Sequence, residues 1–187
     1  MDKPFITRLK VRSTKDPLFA TVARMVNPPE ADEAKACFLP AYGGFDIAEG
    51  TQVDISFLYQ PPSERPWLQL KSGFDRHWRT EELWIVTGAD FYLPLAPARY
   101  ADDRDELPHL EDMLCFAIKQ GDLFVLKPNV WHTGPWAVKP GQAVQFYMLL
   151  SGHRQAVSGG YLDLGVRNFA GAAAVLPDVD DSGRPLS

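Results

Sequence analysis

The sequence has few of the residues that staple or anchor a chain. Cysteine occurs twice in 187 residues, at Cys37 and Cys115. Both stand among apolar neighbours and neither belongs to a C-x-x-C pair. That argues against a thiolate zinc site and a disulfide framework, and predicts two buried thiols, with a single disulfide as the alternative. No apolar run approaches the length of a membrane-spanning helix. The opening residues Met1 to Lys10 carry no apolar stretch of the signal-peptide kind. A cytoplasmic protein with no membrane partner is therefore expected. Positive charge is also in short supply, with 19 Lys and Arg against 24 Asp and Glu, a formal net charge of -5. The basic residues are scattered among acids, which argues against a nucleic-acid partner, since phosphate binding needs clustered cations. Internal repeats, heptads and low-complexity runs are absent.

What is present reads as one ordinary globular domain spanning residues 1–187. The hydrophobic share is 45% and the charged share 23%, and a chain of this length can close a core unaided. Phe5 to Val11 alternates apolar and polar residues and predicts a first strand. Ser13 or Thr14 then offers a cap for a short helix through Leu18, Phe19, Val22 and Ala23, stopped by Asn27-Pro28-Pro29. Val53, Ile55, Phe57 and Tyr59 alternate with polar residues, as a half-buried strand should. Trp67 to Leu70, Leu83 to Val86, Phe91 to Leu95, Met113 to Ile118, Leu123 to Leu126, Val144 to Leu150 and Tyr161 to Val166 are further strand candidates. Ala101 to Pro108 is charged and predicts an exposed loop, and the polar residues 177–187 predict a loosely ordered tail. Many short strands punctuated by Gly, Pro and Asn imply an all-β sandwich or barrel.

Two segments carry chemistry. The first is Arg76-His77-Trp78-Arg79-Thr80-Glu81-Glu82-Leu83-Trp84-Ile85-Val86-Thr87-Gly88. The second runs from Gly121 through Pro128-Asn129-Val130 to Trp131-His132. Each sets a histidine against an apolar strand with a turn glycine. Imidazoles and a carboxylate gathered in a barrel mouth can bind a divalent cation or move protons. Strict alternation along the first segment puts Glu81 on the face of His77. A bulge or corner near Thr80 would bring Glu82 there instead.

In order and spacing, these segments resemble the two sequence motifs of the cupin superfamily. They are similar in particular to the ureidoglycolate lyase (ureidoglycolate hydrolase-type) family, over roughly Gly44 to Leu150. The matching positions are His77, Arg79, Thr80, Glu82, Trp84 and Gly88, then Gly121 through Trp131-His132. Phe91 to Pro97, Met113 to Ala117 and Thr14 to Phe19 also fit. The resemblance implies a double-stranded β-barrel (jelly roll) with a short N-terminal helix, its core at about 44–168. It favours Glu82 over Glu81. It implies a catalytic and metal-binding set of His77, Glu82 and His132, holding zinc, nickel, manganese or iron, or else working metal-free with a histidine as base and Glu82 as acid. Arg79 stands where most cupins have a second histidine. A guanidinium has no lone pair for a metal, so Arg79 is assigned either to a substrate carboxylate or to an ion pair with Glu81. Lys127, Tyr92 and Trp131 are candidate substrate-binding residues, with Trp136 helping to wall the pocket. The implied activity splits ureidoglycolate, a small carboxylate-bearing substrate, into urea and glyoxylate, as in allantoin degradation and purine catabolism. The alternative is a non-catalytic cupin module that binds a small anionic or sugar-like metabolite. By fold analogy, a homodimer pairing through the Phe5 to Val11 strand is expected.

Overall fold

The computed structural model describes residues 5–26, 53–78, 80–151 and 166–186. It is all-β, with one short α-helix and two 3-10 turns among those residues. The strands are β1 (Phe5–Leu9), β2 (Val11–Ser13), β3 (Ala23–Met25), β4 (Val53–Gln60), β5 (Gly73–Phe74), β6 (Glu82–Val86), β7 (Phe91–Ala96), β8 (Leu114–Ile118), β9 (Leu123–Leu126), β10 (Trp131–His132), β11 (Trp136–Ala137), β12 (Val144–Ser151), β13 (Arg167–Asn168) and β14 (Ala173–Pro177). One five-stranded sheet runs β10-β7-β8-β2, with β11 also paired to β7. The other five-stranded sheet runs β3-β9-β6-β12-β4. Neither closes on itself among the described residues.

The two sheets share one core because each turns an alternating apolar face to the other. Along β6, Glu82, Trp84 and Val86 are buried while Leu83 and Ile85 are half-buried on the outside. Trp84 stacks on Phe146 of β12 at 4.3 Å between ring centroids, and Phe146 meets Phe91 of the opposite sheet at 5.7 Å. β7 is buried on both faces. Its Phe91, Leu93 and Leu95 enter the inter-sheet core, and Tyr92 and Ala96 join a second cluster with Trp67, Trp131, Trp136 and Val175. Parallel pairing of β1 with β14 accompanies this second cluster, to which Leu9 and Val175 belong. Gly88 closes the turn between β6 and β7 against β12. A Cβ there would lie 2.5 Å from the backbone nitrogen of Gln145.

Several expectations need correction. The N-terminal strand is two strands broken at Lys10, one paired to β14 and the other to β8. The helix α1 is only Phe19–Val22, and Ala23 already begins β3. Its approach is organised by Asp16, whose carboxylate accepts the Leu18 N–H at 2.9 Å, whereas Ser13 Oγ accepts the Lys15 N–H. Pro66–Leu68 is a 3-10 turn where a strand start was expected. The segment 178–186 is packed: Val179 is buried, and Tyr92 Oη donates to the Gly183 carbonyl at 2.8 Å. That bond and the surrounding apolar contacts order a stretch whose composition reads as loose. Of the predicted strand Tyr161 to Val166, residues 161–165 lie outside the described residues, as do Cys37 and residues 44–52. Cys115 is fully buried as a free thiol, and burial pushes its pKa up.

Candidate metal centre

The site forms where the chain before β6 crosses the chain around β10. The Pro128-Asn129 turn places Asn129 at φ 62, a left-handed conformation that asparagine tolerates better than most residues. Its N–H donates to the His77 carbonyl at 2.9 Å. Beside it, Asp75 and His132 exchange backbone N–H to O=C hydrogen bonds, both 2.8 Å. These bonds fix the two histidine segments side by side. The imidazole rings of His77 and His132 stack with centroids 5.4 Å apart.

Glu82 enters from the first residue of β6 and completes a buried trio. Its Oε1 lies 3.4 Å from His77 Nε2 and 3.6 Å from His132 Nε2. One ligand atom from each residue lies within 4.8 Å of the others. Glu82 Oε2 is held by the indole N–H of Trp84, which donates at 3.1 Å. The chain turns between His77 and β6, so Glu82 faces inward while Glu81 faces outward, where Arg24 binds it with two hydrogen bonds of 2.6 and 3.0 Å. The ambiguity between the two glutamates is thereby resolved in favour of Glu82.

The donor chemistry suits a cation. Val130 C=O accepts a hydrogen bond from His132 Nδ1 at 3.0 Å. A carbonyl can only accept, so Nδ1 carries the proton, and in the neutral ring Nε2 turns its lone pair toward Glu82. Backbone carbonyls fix metal-binding imidazoles in the same way. The separations of 3.4 and 3.6 Å exceed a direct hydrogen bond. They match the spacing of about 3.0–3.6 Å that bonds of about 2.0–2.2 Å impose on neighbouring ligands of one ion. Three protein ligands leave further positions open to a small molecule.

The trio lines a cavity of about 310 Å3. Leu58, Trp84, Met148, Leu150 and Val166 form its apolar walls, and Asp75, Thr133 and Gly134 add polar lining. With Asp75 and Glu82 both present and no Lys or Arg among the described lining residues, the cavity attracts positive charge. Asp75 was missed in the sequence. Its spacing of two from His77 is the signal that would have found it, because residues two apart on an extended chain share a face.

Three of the proposed substrate-binding residues lie elsewhere, Trp131 and Tyr92 because of the same parity. Trp131 neighbours His132 in β10 and so points to the opposite face, where it is buried in the second cluster under the Arg76 guanidinium, 4.6 Å from its ring centroid. Tyr92 points to that same cluster from β7, and burial pushes its hydroxyl pKa up to about 12. Trp136 is there too. Lys127 is exposed, with its ammonium on the Ala20 carbonyl. Trp84 is the tryptophan that walls the cavity. Arg79 lies outside the described residues.

His77 is flanked by two anchors to the 99–112 loop. Arg76 is fully buried and pairs with Glu106 at 2.8 Å, and it also donates to the Asp103 carbonyl. Trp78 Nε1 donates to the Ala101 carbonyl at 2.9 Å, and the Arg104 guanidinium covers its ring. The loop is thus exposed in part only, with Glu106 buried as a strut. No protein-family model matches this chain, and no curated protein matches it.

Proposed function

We propose that this cavity is the divalent-metal site of a small-molecule enzyme on a cupin-type jelly-roll barrel, with a reaction of the ureidoglycolate lyase type. One observation carries the metal assignment: Glu82 Oε1 faces Nε2 of both His77 and His132 at metal-ligand spacing, with the His132 tautomer set by Val130. The lyase assignment rests on the motif resemblance together with that trio. His77, Glu82 and His132 would hold zinc, nickel, manganese or iron. Bound there, such a cation supplies Lewis acidity toward a substrate carboxylate and hydroxyl.

The protein's own groups do the rest. The carbinol hydroxyl gives up its proton, a carbonyl forms, the carbon–nitrogen bond breaks, and the departing urea nitrogen takes up a proton. With Glu82 on the metal, Asp75 is the carboxylate of the cavity that can carry that proton; in a metal-free site a histidine would be the base and Glu82 the acid. Thr133 offers a hydroxyl to the polar end of the substrate. The apolar walls restrict water around the reacting carbon. Arg79 is assigned to the substrate carboxylate on the strength of the motif.

A second proposal, a non-catalytic binding module for a small metabolite, is favoured by those same walls, where five of the lining side chains are apolar. One experiment separates the two. Protein prepared in metal-replete medium is assayed for bound metal and for glyoxylate release from ureidoglycolate, alongside His132→Ala. We expect about one metal per chain and turnover, both lost in the variant with its circular dichroism unchanged, a rate loss of at least about 100-fold. Bound metal without glyoxylate would leave the binding module. Turnover by a metal-free protein would remove the metal assignment.

A further inference from the structure

The row of residues that carries His77 into the cavity continues past it. His77, Asp75 and Gly73 all line the cavity, and residues two apart on an extended chain share a face. Lys71 is the next member of that row. Its backbone is fixed by two hydrogen bonds with Val175, of 3.1 and 2.8 Å. Its ammonium donates to Gln69 Oε1 at 3.1 Å and lies over the Trp136 ring, 5.9 Å from the centroid. Lys71 is half-buried, and burial pushes its pKa down to about 8 with no described carboxylate to oppose the shift. A second polar group arrives from β4. Gln60 is half-buried and shares the inward face of Leu58, which lines the cavity.

The two groups meet over Gly134, itself a lining residue. A Cβ on Gly134 would lie 3.8 Å from Lys71 Nζ and 3.9 Å from Gln60 Oε1, with no other described atom beyond its chain neighbours within 4 Å. The missing side chain thus leaves a seat bordered by one cationic donor and one neutral acceptor. We propose that this seat holds the ureido head of the substrate, whose carbonyl accepts from Lys71 Nζ while its N–H donates to Gln60 Oε1.

The chemistry of the pair selects that head. A ureido group presents an acceptor and a donor side by side, the complement of an ammonium beside an amide oxygen. A carboxylate presents two acceptors and would set one of them against Gln60 Oε1. The inference rests on the proposed function, in which the metal takes the substrate carboxylate and hydroxyl, and names what holds the rest of the same molecule. It also gives Lys71 a part in the reaction. As the carbon–nitrogen bond breaks, charge on the departing ureido group spreads to its oxygen, where the ammonium faces it.

Calorimetric titration with two probes tests this. N-carbamoylglycine keeps the carboxylate and the ureido group but lacks the hydroxyl, so it binds without being cleaved. 4-Methylpentanoate has the same shape with an apolar head. Both carry the carboxylate, so their affinity ratio isolates the head from the metal. The wild type should prefer N-carbamoylglycine by at least about tenfold. Lys71→Met and Gln60→Leu should each remove most of that preference and leave 4-methylpentanoate binding nearly unchanged. Gly134→Ala fills the seat at ordinary contact distance, and should weaken N-carbamoylglycine with unchanged far-ultraviolet dichroism. A wild type without the preference overturns the proposal, as does a preference that survives in Lys71→Met and Gln60→Leu. If those variants fail to fold, Gly134→Ala decides, and an unchanged preference there overturns it. The glyoxylate assay keeps the two readings apart. Glyoxylate release without the ureido preference removes this seat and leaves the lyase, whereas the preference without glyoxylate supports the seat and removes the lyase.

Discussion

Trp84 packs its ring on Phe146 and at the same time donates its indole N–H to Glu82 Oε2. That bond holds the carboxylate so that its other oxygen faces the two imidazoles. Trp84→Phe keeps the ring stacking and removes the donor, so metal affinity should fall about 10- to 100-fold with a small change in stability, measured by metal titration and denaturant melts on the same samples. Lys71 offers a pH test away from the trio. Its ammonium donates to Gln69 Oε1 at 3.1 Å, and burial pushes its pKa down from 10.5 to about 8. Between those values the unfolded chain holds a proton that the folded protein lacks, so folding stability from this group rises as pH increases through the window. Melts from about pH 8 to 10.5 should show this rise in the wild type and a flatter profile in Lys71→Met. At this scale the sequence was legible where one residue type limits the chemistry. His77, Glu82 and His132 are so few and so spaced that little else unites them. Tyr92 and Trp131 failed because one step along a strand reverses the face, and nothing local reveals which face looks onto the cavity.

Within the loop 99–112, the charged segment Ala101 to Pro108 was expected to be an exposed connection. Its middle is tied down by one carboxylate. Glu106 Oε2 takes the buried Arg76, and Oε1 accepts the backbone N–H groups of Arg99 at 2.7 Å and Tyr100 at 3.2 Å. Burial pulls the Arg76 pKa down, and Glu106 and Asp103 oppose that pull. Glu106→Gln leaves a buried cation without its counter-charge and should cost about 3–5 kcal/mol in urea denaturation. Arg76→Met combined with Glu106→Leu should recover much of that loss, since the charges are removed together. If the single and the double variant lose equal stability, the pair is not what holds the loop. Arg76 and Glu106 are 30 residues apart. Only the folded path of β7 brings them together, so the charge run read as solvated surface.

Across the whole molecule, alternation located most strands but not their partners. Val144 to Leu150 was readable as a strand, yet its place between β6 and β4 follows from pairings far along the chain. For β4 the alternation was right, yet its apolar residues face outward and its polar ones inward, because alternation fixes two faces and not which of them meets the core. The inter-sheet core itself depends on aromatic residues that meet across the two sheets. Phe146→Ala removes a ring that touches both Trp84 and Phe91. It should cost about 3–5 kcal/mol, read as a fall in the midpoint of denaturant unfolding. The pairing of β1 with β14 carries a different consequence, one of timing. β1 is synthesised well before the strand it hydrogen-bonds, since Phe5 pairs with Ala173. At about 5–20 residues per second, a ribosome leaves β1 waiting on the order of ten seconds for that partner. Phe5 and Ile6 stay among the more exposed apolar residues even when paired. During synthesis this short apolar strand therefore goes without its partner while the intervening chain is made, and a stall before β14 would leave it so.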